Sequence, residues 1–153
     1  MSGRPMVFNY IADSAQAILS AFWLGQEAAP AITDVLFGQY NPSGKLPMSF
    51  PRSVGQVPIY YAHTNTGRPL TEEGRTGYVS AYIDSRNSPR YAFGHGLSYT
   101  RFELSDLQLN KISMAGNDSI IVKFKIRNTG KYKGEETVQL YLRDNVSSVV
   151  RPV

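Results

Sequence analysis

The two histidines are the first residues to consider for catalysis or metal binding, because the chain contains no cysteine. They are His63 and His95, and neither belongs to an H-x-x-x-H arrangement that would place two imidazoles on one helical face. Without cysteine there is no thiolate zinc site and no cysteine nucleophile. No G-x-S-x-G element is present to supply a serine nucleophile. We therefore predict neither a metal site nor a bound cofactor.

Paired carboxylates are the other chemistry to test, because a retaining glycosidase needs two carboxyl groups about 5–5.5 Å apart. Asp13 and Asp34 fall on the polar faces of helical patterns, and Glu72 and Glu73 are neighbours whose side chains point apart. Spacing alone selects no pair. The sequence therefore predicts no catalytic residue in this chain.

The composition is typical of a folded domain with an ordinary surface. The chain has 153 residues, 42% of them hydrophobic, and a net charge of +4. The densest basic group, Lys123, Lys125 and Arg127, alternates with apolar residues and reads as the outer face of a strand. Because the positive charge is not clustered, we predict no nucleic-acid partner.

No segment has the pattern of a membrane span or of a signal peptide. No apolar run approaches ~18 residues. The first residues, Met1 to Pro5, are not followed by the apolar stretch of a signal peptide. We expect a chain with no membrane partner.

Residues 1–50 show the mixed pattern of an α/β segment. Hydrophobic spacing and turn residues predict four elements: a strand over Met6–Asn9, helices over Ala12–Phe22 and Glu27–Phe37, and a strand over Leu46–Phe50. So few elements cannot close an open sheet, whose strands need neighbours on both sides. The region is therefore predicted to be an incomplete α/β layer.

Residues 51–98 are rich in proline, glycine and tyrosine and show no sustained period. A connection of this length without regular structure is uncommon in a compact domain and is usually functional or a linker. Its many tyrosines indicate that the segment packs against another part of the protein. We expect an ordered, extended connection that lies over a partner surface.

Residues 99–153 have an all-β pattern. Strands are predicted over Phe102–Leu109, Ser119–Asn128 and Thr137–Arg143, with Val138, Leu140 and Leu142 facing inward. An immunoglobulin-like sandwich needs about seven strands over roughly 100 residues. The region is therefore predicted to be an incomplete sandwich.

Several long segments resemble glycoside hydrolase family 3. They are Ser2–Pro5, Ala21–Glu27, Asp34–Pro47, Tyr91–Thr100, Asn128–Gly130 and Gly134–Tyr141. Two more, Pro51–Tyr61 and Asn65–Pro69, are similar to its periplasmic β-glucosidase branch in particular. The resemblance extends over essentially the whole chain.

The resemblance implies an enzyme with a barrel, an α/β sandwich and a fibronectin type III-like domain in series. It also implies that this enzyme hydrolyses terminal β-glucosides with retention of the anomeric configuration. It implies that residues 1–50 end the α/β sandwich, 51–98 form a linker and 99–153 begin the fibronectin type III-like (immunoglobulin-like) domain. In that family the nucleophilic aspartate lies in the barrel and the acid/base glutamate lies upstream of the segment matching Ser2–Pro5. No position here matches either motif. We thus expect a C-terminal portion of a periplasmic or secreted β-glucosidase, inactive alone, whose partners are the missing barrel and the rest of the α/β domain.

Four residues are candidates for contact with the β-glucoside substrate of the parent enzyme. They are Trp23, His63, Asn65 and Arg68. Aromatic rings stack on sugars, while His, Asn and Arg side chains bond hydroxyl groups, and such contacts usually come from irregular segments. The alternatives are that Trp23 packs at a helix end and that Arg68 bonds carbonyls of its own loop.

Two other functions are compatible with the pattern. The first is a stand-alone carbohydrate-binding or interaction module, suggested by the aromatic-rich stretch from Ile59 to Tyr99. The second is the tail of a family 3 β-xylosidase, because related enzymes share this region.

Overall fold

Helices occupy the first part of the chain and strands the last part. The computed structural model describes residues 2–64, 67–71 and 77–153. In chain order it contains α1 (Asn9–Ser14), α2 (Ala28–Leu36), a 3₁₀ turn (Val54–Gln56), β1 (Phe102–Leu109) and β2 (Val122–Asn128). This agrees in part with the predicted α/β segment followed by an all-β region: helices lie in the first and strands in the second, but in the described residues no regular strand precedes β1.

The second predicted helix is confirmed as α2, shorter than expected by one residue at each end. Pro30 lies in its first turn, where the missing N–H would have no helical partner. After the helix, the Phe37 amide donates to the Thr33 carbonyl (2.9 Å) and the Gly38 amide donates to the Val35 carbonyl (3.2 Å). These bonds satisfy carbonyls that the end of a helix leaves without partners.

The predicted first strand and first helix are wrong. The helix of this region is α1, only six residues long, and it begins at Asn9, where the strand Met6–Asn9 was expected to end. It stops because Ala15 has an extended backbone (ψ 135°). The helix Ala12–Phe22 was predicted from an apolar stripe that includes Ile18 and Leu19. Both of these residues are exposed. Helices shorter than about 12–15 residues are marginal without a surface to pack against.

An ion pair ties α1 to the segment that leads toward β1. Arg90 pairs with Asp13, and the hydrogen bond that its guanidinium donates to this carboxylate raises the pKa of Arg90 above its ordinary value. The Asn9 amide group donates to the Arg52 carbonyl (2.7 Å). Both contacts place α1 against the beginning and the end of the long middle segment.

The strands β1 and β2 form an antiparallel pair. Phe102 faces Asn128, and Leu109 faces Val122 at the other end. A register shift between Ser105 and Gln108 marks a bulge at Asp106, whose φ is +55°. In the connection between the strands, hydrogen bonds from Lys111 and from the Ser119 amide hold the pKa of the Asp118 carboxyl below its ordinary value.

The predicted strands Leu46–Phe50 and Thr137–Arg143 are not regular strands in the described residues. The first does pair in part with residues returning from the middle segment. The Leu46 amide donates to the His95 carbonyl, and the Phe50 amide donates to the Tyr91 carbonyl, each at 2.8 Å. Pro47 and Pro51 lack the amide hydrogens that a longer ladder would need.

The core is small. Of the large apolar side chains in the described ranges, only Phe50 is buried, with 5% of its surface exposed. The rings of Phe8 and Phe22 surround it, with centroids 5.7 and 6.2 Å away. Within the same ranges, no helix combines the length and apolarity that crossing a bilayer requires.

Candidate functional site

Trp23 lies on an irregular turn and is largely exposed. Phe22 has a φ of +32°, and its ring lies near that of Phe50. The next residue, Trp23, is 85% exposed. A Cβ added at Gly3 would lie 1.7 Å from the indole nitrogen, so the ring lies directly over the Gly3 backbone. The structure therefore shows Trp23 as an exposed aromatic and not as a packed helix-end residue.

His63 is exposed beside another aromatic ring. Its imidazole and the Tyr60 ring have centroids 5.7 Å apart and are tilted by 42°. Tyr60 is itself exposed. Asn65, the next candidate along the chain, lies outside the described residues.

Arg68 is exposed and lies against the opposite arm of its own loop. Its guanidinium carbon is 5.8 Å from the centre of the Tyr78 ring, a cation–π arrangement. Its carbonyl accepts a hydrogen bond from the Ser80 amide at 2.7 Å. The cation is therefore placed by an aromatic ring and by backbone pairing.

The structure does not unite the candidates into one site. In the described residues, no hydrogen bond, ion pair or ring contact joins Trp23, His63 and Arg68 to one another. No group of three or more histidines, aspartates or glutamates in these ranges could hold a metal ion. The three described candidates are therefore separate, exposed side chains on irregular segments.

One cleft formed by described residues lies elsewhere, beside the start of β1. It has a volume of about 330 Å³. Its walls include Lys45, Ser98, Arg101, Leu104 and Glu136, and neither Trp23 nor His63 nor Arg68 lines it. Two of its charged groups already bond each other, because Lys45 Nζ lies 2.8 Å from Glu136 Oε1.

Sequence reasoning missed the polar side chains that hold the segments together. Asn41 Oδ1 accepts hydrogen bonds from the Ser98 hydroxyl and the Tyr99 amide, both at 2.8 Å, and its amide nitrogen donates to the Lys133 carbonyl. The Asn-Pro-Ser-Gly turn was visible, but these partners are distant in the sequence. Gln56, buried with 1% of its surface exposed, lies in the family-like segment Pro51–Tyr61, but nothing in that segment indicates which groups its side chain bonds.

The segment after β2 is attached to the first half of the chain by alternate side chains. The Thr137 hydroxyl donates to the Ser43 carbonyl (3.0 Å), and the Gln139 amide group donates to the Gly94 carbonyl (2.9 Å). The Tyr141 ring lies 5.9 Å from that of Tyr61. Val138, Leu140 and Leu142, which were expected to face inward, are exposed instead.

Comparisons with known proteins agree with one another. Residues 1–99 match the model of the Glycosyl hydrolase family 3 C-terminal domain. The whole chain is 49% identical to a periplasmic beta-glucosidase of Salmonella typhimurium and covers 20% of that protein. It is 42% identical, over 99% of its length, to a beta-xylosidase of Formosa agariphila, and again covers 20% of it.

The solved structures give the same result. The crystal structure of a beta-glucosidase from Listeria innocua in complex with isofagomine superposes on 99% of this chain with a TM-score of 0.90 and 44% identity. The match covers 21% of that protein. The chain thus spans about a fifth of the length of the relatives it matches. Because the family model covers residues 1–99 of 153, the chain belongs to glycosyl hydrolase family 3.

Proposed function

We propose that this chain is the C-terminal portion of a retaining β-glucosidase-type hydrolase and supports an active site carried by other parts of the enzyme. The observation that carries this is the alignment of the whole chain with a fifth of a periplasmic beta-glucosidase. No catalytic residue is assigned to this chain. Its reaction in the parent enzyme is the hydrolysis of terminal β-D-glucosyl residues.

The large exposed surface supports a role as part of a bigger structure. A compact monomer of 17.0 kDa has an accessible surface of about 7,700 Å². This chain exposes 12606 Å². Tyr10, Leu36 and Phe37 are among the exposed apolar side chains of the helical region. The missing barrel and the rest of the α/β domain are the partners that we propose to cover such surfaces.

We propose the three-part division stated above: residues 1–50 end an α/β sandwich, 51–98 connect, and 99–153 begin a fibronectin type III-like sandwich. The end of the family match at residue 99 supports the second boundary. The pair β1–β2 and the alternation of attached and exposed side chains over residues 137–142 support an incomplete sandwich. Exposed Leu140 and Leu142 would then face strands of the same domain.

We propose that Trp23, His63, Asn65 and Arg68 contact the substrate at the edge of the parent enzyme's cleft. Exposure of Trp23, and the placement of His63 and Arg68 beside the rings of Tyr60 and Tyr78, support this. Rings of this kind stack on the apolar face of a sugar. Similarity to a periplasmic beta-glucosidase supports a periplasmic or secreted enzyme.

A β-xyloside is the second candidate substrate, because one relative at 42% identity is a beta-xylosidase. A xylosyl unit lacks the hydroxymethyl group of glucose, and a site built to bond that group discriminates strongly against its absence. We place β-glucoside first because the identity to the periplasmic beta-glucosidase is higher, at 49%.

The test is to assay the complete product of the gene that encodes this chain with 4-nitrophenyl β-D-glucoside and β-D-xyloside. We expect hydrolysis of the glucoside, with the β anomer as the first product by NMR. The 153-residue chain alone should release no nitrophenol beyond a control lysate. Activity in that chain, or a complete product with no glycosidase activity, would contradict the proposal.

Affinity electrophoresis in soluble β-glucan tests the remaining alternative, that the chain is a stand-alone carbohydrate-binding module. A stand-alone carbohydrate-binding module would be retarded by the polysaccharide without the rest of the enzyme. We expect the isolated chain to migrate at the same rate with and without glucan.

A further inference from the structure

The Gln56 side chain joins the two ends of the segment that departs after residue 56 and returns at residue 86. Gln56 is 1% exposed. Its Oε1 accepts a hydrogen bond from the Arg52 amide at 2.5 Å. Its Nε2 donates to the Arg86 carbonyl at 2.6 Å and to the Ser88 carbonyl at 3.3 Å. Both amide hydrogens are therefore used, together with the oxygen.

Other contacts extend the same junction on both sides. Arg52 Nε donates to the Ser88 carbonyl at 3.1 Å. Beyond it, Phe50 and Tyr91 form an antiparallel bridge. Residues 46–52 and 86–95 are thus two antiparallel arms. The stretch between them, called loop 57–85, leaves after Gln56 and returns at Arg86, and the structure describes its residues 57–64, 67–71 and 77–85.

This loop carries His63 and Arg68. Near these two residues the contacts are local: the Tyr60 ring lies beside His63, the Tyr78 ring beside Arg68, and the Asn87 amide group donates to the Ser80 carbonyl (2.8 Å). Elsewhere in the loop the Tyr61 ring stacks on the Phe93 ring, with centroids 4.2 Å apart, and contacts the returning arm. The hydrogen bonds of Gln56 fix the base of the loop.

We propose that Gln56 is a positioning residue that fixes loop 57–85, and with it His63 and Arg68, on the family 3 C-terminal domain. Gln56 acts through the backbone of Arg52, Arg86 and Ser88. An apolar side chain at this position would remove the partner that the Arg52 amide and the Arg86 carbonyl have in Gln56, which weakens the junction between the two arms. The consequence for substrate binding rests on the proposed function, whereas the clamp itself rests on the hydrogen bonds alone.

The test compares Gln56→Met with Gln39→Met in the complete product of the gene. Both variants lose one amide side chain at nearly constant volume, but Gln39 is exposed and lies outside the loop, shortly after α2. Hydrogen exchange read by mass spectrometry should rise about tenfold or more over residues 57–64 and 77–85 in Gln56→Met. Exchange over β1 and β2 should stay unchanged, and Gln39→Met should leave the loop as in the wild type.

Unchanged loop exchange in Gln56→Met, or an equal rise in every segment, would overturn the clamp. If that variant does not accumulate as folded protein, Arg52→Met removes the Nε bond to Ser88, keeps the backbone amide that donates to Gln56, and should raise loop exchange by about two- to fivefold. No rise in Arg52→Met would overturn the clamp as well.

Steady-state kinetics then test the positioning role. We expect Gln56→Met to raise KM for the aryl β-glucoside about five- to tenfold with kcat within about twofold, because a displaced loop weakens ground-state and transition-state contacts alike. A mobile loop with unchanged KM overturns the link to substrate. A complete gene product without glycosidase activity contradicts the proposed function, and the exchange experiment still decides the clamp.

Discussion

The absence of a side chain at Gly96 allows two backbone segments to approach each other. A Cβ added there would lie 2.4 Å from the Gly44 carbonyl oxygen and 2.9 Å from Lys45 Cδ. The first of these atoms belongs to the backbone and cannot move aside as a flexible side chain can. At the scale of single residues, position 96 thus requires glycine because two backbone segments pack closely there, and not because a turn requires it.

We expect Gly96→Ala to lower the free energy of unfolding of the complete gene product by about 1–3 kcal/mol, the usual cost of overpacking. Gly44→Ala is the matched control on the facing segment, because a Cβ there has no atom within 4 Å. It should change stability by less than about 0.5 kcal/mol. Equal urea midpoints for the two variants would show that the approach at Gly96 does not constrain the fold.

At the scale of elements, the hydrogen bonds that attach the segment after β2 are joined by a shielded ion pair. Lys45 and Glu136 are 13% and 17% exposed, and Lys45 also donates to the Gly96 carbonyl at 2.9 Å. The pair Lys125–Asp106 on the β1–β2 surface is 77% and 49% exposed. Exposed pairs contribute little because water and salt screen them.

We therefore expect Glu136→Gln to destabilise the complete gene product by about 1–3 kcal/mol, since it leaves a shielded lysine without its counter-charge. Asp106→Asn is the control, and it should cost less than about 1 kcal/mol. Asn also tolerates the positive φ at this position. Urea unfolding measures both, and a larger effect of Asp106→Asn would refute the ranking.

Local patterns predicted the elements that carry their own stabilising signals. The helix α2 has a proline in its first turn and a glycine after its end, and β1 has the bounds Phe102–Leu109 that were predicted from the sequence. The helix predicted over Ala12–Phe22 depended on an apolar stripe, of which Ile18 and Leu19 are exposed and Phe22 contacts Phe50 from an irregular turn. A stripe without a surface to bury it does not hold a helix.

At the scale of the whole molecule, the exposed apolar surface predicts poor behaviour of the isolated chain. Its accessible surface of 12606 Å² is roughly 1.6 times that of a compact monomer of its mass. We expect the 153-residue chain to bind a hydrophobic dye and to self-associate, as seen by light scattering. The complete gene product should do neither, and a sharp cooperative melt of the isolated chain as a monomer would contradict this expectation.

The sequence by itself determined the family, the absence of a matching catalytic motif, the helix α2 and the approximate positions of β1 and β2. Each depends on residues that are neighbours in the chain: long continuous motifs, helix start and stop residues, and strict alternation. For that reason each can be read without knowing which distant segments meet.

Only the tertiary structure decided which polar groups hold the segments together. Gln56 bonds carbonyls 30 and 32 residues away, and Asn41 bonds the carbonyl of a residue 92 positions away. A hydrogen bond between distant residues leaves no periodic trace, because its partners are backbone groups that every residue type carries. The loop that bears His63 and Arg68 could thus be recognised from its composition, while the residue that holds its base could not.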